Sequence, residues 1–327
     1  MQKTYARLLS VTLLLTLLVI VLGAYTRLSD AGLGCPDWPG CYGHLGVPEN
    51  VDQSQFQRPL ETAKAWKEMI HRYAAGTLGL LILVIFVLSV RWRQALRQSV
   101  VLPTLLVLMV MFQGALGMWT VTLLLSPLIV TAHLLGGFAT LSLLWLLWLR
   151  QHTNRPVTLY APELSRLKGL GLLALLLLIG QIFLGGWTST HYAAVACGIS
   201  FPTCHGSLWP AADFASGFAF EWQEGVDYEF GILENPARVA IHMSHRLGAL
   251  VVFLFLGGLM LWAIRQRQRM LGMIPHTILL LLVVQVSLGV MNVVLALPLP
   301  IATAHNLVAA LLLLAVINFN YRLYPTH

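Results

Sequence analysis

Long apolar runs separated by short polar segments dominate the chain. Eight runs, Leu8–Tyr25, Met69–Val90, Val100–Trp119, Leu128–Leu149, Gly169–Thr188, Val239–Ile264, Thr277–Leu295 and Ile301–Phe319, predict one transmembrane helix each. Most approach the ~20 residues needed to cross the hydrocarbon core of a bilayer. Two long polar stretches, roughly 26–68 and 189–238, interrupt the series, and the other connections are short. The first run is long and no convincing small-x-small cleavage site follows it, so it reads as a retained helix rather than a signal peptide. The expected fold class is an all-α membrane protein.

The apolar pattern also repeats. Gln113-Gly-Ala-Leu-Gly117 is followed by Thr131-Ala-His133, and Gln285-Val-Ser-Leu-Gly289 by Thr303-Ala-His305, with 20 residues from Gln to His in both. Upstream, Ile70-His71-Arg72 corresponds to Ser244-His245-Arg246, placed 42 and 40 residues before the glutamine. Further upstream, Leu22-Gly-Ala-Tyr-Thr26 resembles Gly185-Gly-Trp-Thr188, and each leads to a loop with two cysteines. Four matches in the same order divide the chain into an N-terminal half (1–151), a connection (152–168) and a C-terminal half (169–327). Each half has an even number of spans, so both face the same way. The expected architecture is two four-helix bundles related as parallel repeats.

Composition fits this picture. The chain of 327 residues is 57% hydrophobic and only 10% charged, with a mean hydropathy of +0.76; soluble domains carry about 25% charged residues. Charge also orients it. Thirteen of the 20 Lys and Arg residues, from Lys3 and Arg7 through Arg150 to Arg322, fall on the side of the N-terminus, where Glu163 is the sole acid. By the positive-inside rule both termini are cytoplasmic, and the two long loops lie on the outer side of a bacterial inner membrane. The net charge of +7 is mostly this bias. Spread over short loops, it offers no surface for nucleic acid.

Ionisable residues inside a membrane are costly and mark functional sites. His71, His133, His245 and His305 occupy equivalent places in spans entered from the outer side, so each half can present two imidazoles across its interior. Facing imidazoles in a four-helix bundle suit a haem iron. The bland reading is interhelical hydrogen bonding, which a lone histidine would favour and two repeated pairs do not. Zinc lacks its third and fourth ligands. Arg72 and Arg246, next in sequence, either pair with haem propionates or snorkel at the interface. Glu68 lies three residues before His71 on the same helical face, and His242 takes that place before His245. Glu68 is either an acid–base or charge-stabilising group or a first-turn glutamate favoured by the helix dipole. Cys35 with Cys41 and Cys197 with Cys204 read as two local disulfides in an oxidising compartment, with a redox role for Cys35–Cys41 the lesser option.

These residues resemble the haem A synthases of the Cox15/CtaA family across nearly the whole chain. The resemblance is carried by Gly23-Ala-Tyr-Thr-Arg-Leu-Ser29 running into Gly32-Leu-Gly-Cys-Pro-Asp-Trp-Pro39, then Glu68-Met-Ile-His71-Arg72, His133, His245-Arg246 and His305. It implies oxidation of a ring methyl of haem O to a formyl group, giving haem A. It further implies a haem b cofactor on His245 and His305, a substrate site on His71 and His133, and Glu68 as the catalytic carboxylate. Partners implied are haem O, a haem O synthase, cytochrome oxidase assembly and an electron donor or acceptor. An iron held by two imidazoles has no open position. Either one histidine leaves, or electrons are removed and water supplies the oxygen. Two other classes compete: a di-haem b electron carrier, which needs no carboxylate in one half only, and a transporter with parallel repeats, which needs polar residues at mid-membrane depth.

Overall fold

The computed structural model of the chain describes residues 1–56, 58–96, 98–152, 162–266 and 271–324. Among these, α-helix accounts for all regular structure apart from short 3-10 turns and two isolated β-bridges. The helices are α1 (Gln2–Leu28), α2 (Thr62–Arg91), α3 (Arg93–Leu96), α4 (Val101–Thr122), α5 (Pro127–His152), α6 (Pro162–Thr190), α7 (Phe214–Gly217), α8 (Asn235–Arg265), α9 (Ile274–Val294) and α10 (Leu299–Leu323). Eight of them, all but the one-turn α3 and α7, are long and apolar enough to cross a membrane. Each matches one of the eight predicted runs, which α4 and α9 each miss by one terminal residue, Val100 and Leu295. Most of the connection expected over 152–168 lies outside the described residues, as do Arg97, Arg155, Arg267 and Arg269.

The helices outrun the apolar runs at most ends, on both sides. α2 starts at Thr62, seven residues before Met69, because Thr62-Ala-Lys-Ala-Trp-Lys is a competent helical segment, though polar. Proline marks several entries: Pro127 opens α5, and Pro236, Pro275 and Pro300 sit in the first turns of α8, α9 and α10. There the missing N–H costs nothing. α4 and α9 end alike. Leu124 and Leu125 after α4, and Ala296 and Leu297 after α9, take left-handed backbone conformations, and each turn leads directly into the following helix.

Packing joins α1 to α2 and α5, and α4 to the same two helices. In the same manner α6 and α9 each pack on α8 and α10. α1, α5, α6 and α10 make the contacts between the two groups. The shared core is aliphatic, with Leu9, Ile82, Leu106, Leu141, Leu144, Leu256, Ile278 and Leu312 nearly inaccessible. Polar ties are few and specific. The Trp145 indole donates to the Leu314 carbonyl at 2.9 Å, and Asn320 Nδ2 to the Gly171 carbonyl at 3.0 Å.

Both cysteine pairs are disulfide-bonded, with Cα separations of 4.8 Å for Cys35–Cys41 and 4.7 Å for Cys197–Cys204. Just beyond the second cysteine each loop folds into a tight hairpin, bridging Cys41 to His44 and Cys204 to Ser207. Gly43 and Gly206 sit at equivalent corners with φ of +77° and +81°, a conformation that glycine adopts without steric cost. The two long loops also hold one another. Arg58 pairs with Asp227 and Glu229, Tyr192 Oη donates to Asp30 at 3.2 Å, and the Arg27 guanidinium stacks 4.1 Å over the Tyr192 ring.

Candidate functional site

His71 is the tenth residue of α2 and His245 the eleventh of α8, while His133 and His305 are each seventh in α5 and α10. At 1.5 Å per residue these lie about 9–15 Å from the helix starts. The structure brings them together in the expected pairs. His133 is within charge–charge range of His71, and His245 of His305. All four are half-buried.

Each imidazole rests on a glycine of a neighbouring helix. A Cβ at Gly23 would lie 2.9 Å from His71 Cε1, at Gly117 3.5 Å from His133 Cε1, at Gly185 3.2 Å from His245 Cε1, and at Gly289 3.2 Å from His305 Cε1. Four residues before three of these glycines stands a glutamine. Gln181 Nε2 contacts His245 Nδ1 at 3.0 Å and Gln285 Nε2 contacts His305 Nε2 at 3.2 Å. Val19 takes the corresponding place in α1, and His71 is aimed at its carbonyl. Glycines and glutamines were visible in the repeated Gln-x-x-x-Gly spacing, but their role beneath the rings was missed. Gln181 also fits that spacing and was overlooked.

Glu68 is 5% exposed. Its Oε2 accepts the Cys35 backbone N–H at 2.9 Å, and its Oε1 pairs with Arg72. Since α2 begins at Thr62, Glu68 sits in the second helical turn, beyond the reach of the dipole's terminal charge. The first-turn reading is therefore replaced by a buried carboxylate that ties the Cys35–Cys41 loop to the helix carrying His71. In the other group His242, 3% exposed, sends Nδ1 to the Ala193 carbonyl at 2.7 Å, and its Nε2 has no protein partner.

The two arginines are engaged with loop carbonyls. Arg72 Nη1 donates to Asp37 O at 2.9 Å and to Pro39 and Gly40. Arg246 donates to Ser200 O at 2.9 Å, Thr203 O at 3.1 Å and Pro202 O at 3.3 Å. Neither is a free interfacial side chain; each fixes a disulfide hairpin beside a histidine-bearing helix. The nearby loop histidines have partners of their own: His191 Nδ1 reaches Trp187 O at 3.0 Å and His205 Nε2 reaches Ala196 O at 3.0 Å.

The residues suit haem. His71, His133 and His305 each have a buried Nδ1 without a protein hydrogen bond, and the glycines leave backbone-level room beside every ring. Among the described residues no three His, Cys, Asp or Glu side chains converge on a common point; the four histidines come together in twos. His245 and His305 would hold one haem iron, and His71 with His133 another.

Comparison with known proteins bears on the same stretch of chain. The family model for the COX15-CtaA cytochrome oxidase assembly proteins matches residues 6–317. A heme A synthase of Shewanella oneidensis is 48% identical over 99% of this chain and 97% of its own length. Heme A synthases of Shouchella clausii (28% identical, 89% of this chain and 87% of that one) and Agrobacterium fabrum (29%, 95% and 89%) are more distant.

Proposed function

The chain belongs to the COX15-CtaA family of cytochrome oxidase assembly proteins, and from that membership we propose that it is a haem A synthase. It oxidises a ring methyl of haem O to a formyl group, so it is an oxidoreductase of the bacterial inner membrane with eight spans, both termini cytoplasmic and its haem sites toward the periplasm. A haem O synthase supplies the substrate and the haem A enters cytochrome oxidase assembly. Taking the methyl to a formyl group removes four electrons, either to an electron acceptor with water supplying the oxygen, or through two hydroxylations by O2, each with two electrons from a donor, and loss of water.

Haem O is held between His71 and His133. Glu68, one helical turn outward from His71, takes protons released from the methyl carbon or offsets positive charge developing there. Arg72 and the Cys35 N–H hold that carboxylate in one orientation, and pre-set orientation lowers the cost of reaching the transition state. Haem b on His245 and His305 supplies one-electron transfer when bound. The observation that carries the reading is the asymmetry between Glu68 and His242. Two equivalent histidine-bearing helices differ, one turn from the ligand, by a carboxylate in one and an imidazole in the other. A di-haem electron carrier has no use for such a difference.

The test is expression in a host that makes haem O and no haem A, followed by extraction and identification of the haems. Haem A is expected in cells carrying the protein. Haem O left wholly unconverted, with haem b bound, would favour the electron carrier instead.

A further inference from the structure

Both disulfide hairpins lie against histidine-bearing helices, the first bonded to α2 and the second to α8. Tyr73 lies on an exposed stripe of α2 that runs through Ile70, Tyr73, Leu80, Val84 and Val87, the apolar face available to lipid. Its hydroxyl donates to the Leu45 carbonyl at 2.6 Å. The first hairpin therefore reaches the exposed apolar side of α2. Tyr73 follows Met69, where the apolar run of α2 begins, by about one turn, and its side chain leans back toward the outer end of the helix, which places the Leu45 carbonyl near the start of that run. Leu45 is 85% exposed, an unusual state for leucine unless apolar material covers it.

The second hairpin repeats this. Arg246 draws Ser200, Pro202 and Thr203 onto α8 beside Leu247, the first member of a stripe continuing through Leu250, Val251 and Leu254. Exposed on this hairpin are Ile199, Phe201, Leu208 and Trp209, by 65%, 47%, 68% and 79%, together with the polar His205 and Ser207. The apolar stripes of α2 and α8 thus adjoin exposed apolar side chains on both hairpins.

We propose that the two hairpin tips are anchors in the outer leaflet, with Leu45 on one side and Leu208 with Trp209 on the other inserted among the acyl chains at the headgroup boundary. The occupant is lipid because each tip adjoins an apolar stripe that lipid covers along the span, so that a soluble partner seated there would compete with the bilayer. Tryptophan prefers this boundary, and the arginines that hold the hairpins satisfy the loop carbonyls that lipid could not. Through Arg72 and the Cys35 N–H, the first anchor bears directly on the placement of Glu68.

A photoreactive benzoylphenylalanine placed singly at Leu45, Leu208, Leu254 or Glu224 tests this in the full-length protein reconstituted into phosphatidylcholine–phosphatidylglycerol nanodiscs. After irradiation, mass spectrometry should find phospholipid adducts at 45 and 208 as at the lipid-facing 254, and lose them at the water-facing 224. Adducts at 254 without any at 45 and 208 would overturn the proposal, and adducts at one hairpin alone would overturn it for the other. A second measurement avoids substituting either leucine. Brominated lipids should quench the fluorescence component that Trp209→Phe removes, and an unquenched component would place that tip in water. Neither readout depends on haem conversion, so a failure here leaves the proposed function standing.

Discussion

At the scale of single residues, the proposed chemistry rests on Glu68 and on the glycines beneath the imidazoles. Glu68→Gln keeps the side chain's volume and an oxygen for the Cys35 N–H, but loses the charge. Conversion of haem O should fall by about 10²–10⁴-fold, with haem b on His245 and His305 retained. His242→Gln should change the yield far less. Measuring haem A per protein in membranes checks both, and equal yields from Glu68→Gln and wild type would remove the carboxylate from the chemistry. Gly289→Val would push a branched side chain into His305, whose Cε1 is already 3.2 Å from a bare Cβ. The low-spin haem b spectrum should be lost. Gly258→Ala on α8 meets nothing within 4 Å and should leave the spectrum intact, with up to ~1 kcal/mol gained from helix propensity. The paired histidines were legible in sequence because their spacing repeats. The glycines' task was not, since it depends on which helices become neighbours. The partners of Arg72 and Arg246 were equally hidden, because backbone carbonyls carry no signature in the sequence.

At the scale of elements, the eight apolar runs marked the spanning helices well, since lipid demands continuous apolar length. They marked the ends less well. Thr62–Lys67 is polar yet helical, and overlooking that extension is what made Glu68 look like a first-turn residue. The hairpins give a prediction of their own. Arg246→Met leaves the carbonyls of Ser200, Pro202 and Thr203 without their shared donor, at about 0.5–1.5 kcal/mol per bond. The Cys197–Cys204 disulfide should then be reduced faster by a soluble thiol, which alkylation and mass spectrometry would show; an unchanged rate would mean the loop holds without the arginine. The join between α6 and the second long loop is sensitive to pH. His191 follows α6, is 6% exposed, and burial lowers its pKa below the ordinary 6.5. The unfolded form therefore binds more protons in that window, so stability is full above pH 6.5 and declines as the pH falls below it. His191→Gln should lessen this dependence by the share of a single histidine in thermal denaturation curves recorded in detergent.

For the molecule as a whole, the distribution of charge predicts its orientation. A reporter fused after Arg150 should be cytoplasmic, and one inserted within Val47–Gln57 should be exported; reversal of either would move the disulfides and histidines to the wrong side. The long loops were foreseen only as two polar stretches. Their mutual grip through Arg58, Asp227 and Glu229 could not be read from sequence, because it joins residues about half a chain length apart. The four glycines under the imidazoles also determine which mutations a population can keep. In a saturation library, selection for respiration through a haem A oxidase should purge side chains from positions 23, 117, 185 and 289, sparing at most alanine at 117, where a Cβ would lie 3.5 Å from His133 Cε1 in ordinary contact. A screen for haem b pigment alone should relax the first two and still police the last two. The same fold would then leave two different patterns of survival, one for each of its haem sites.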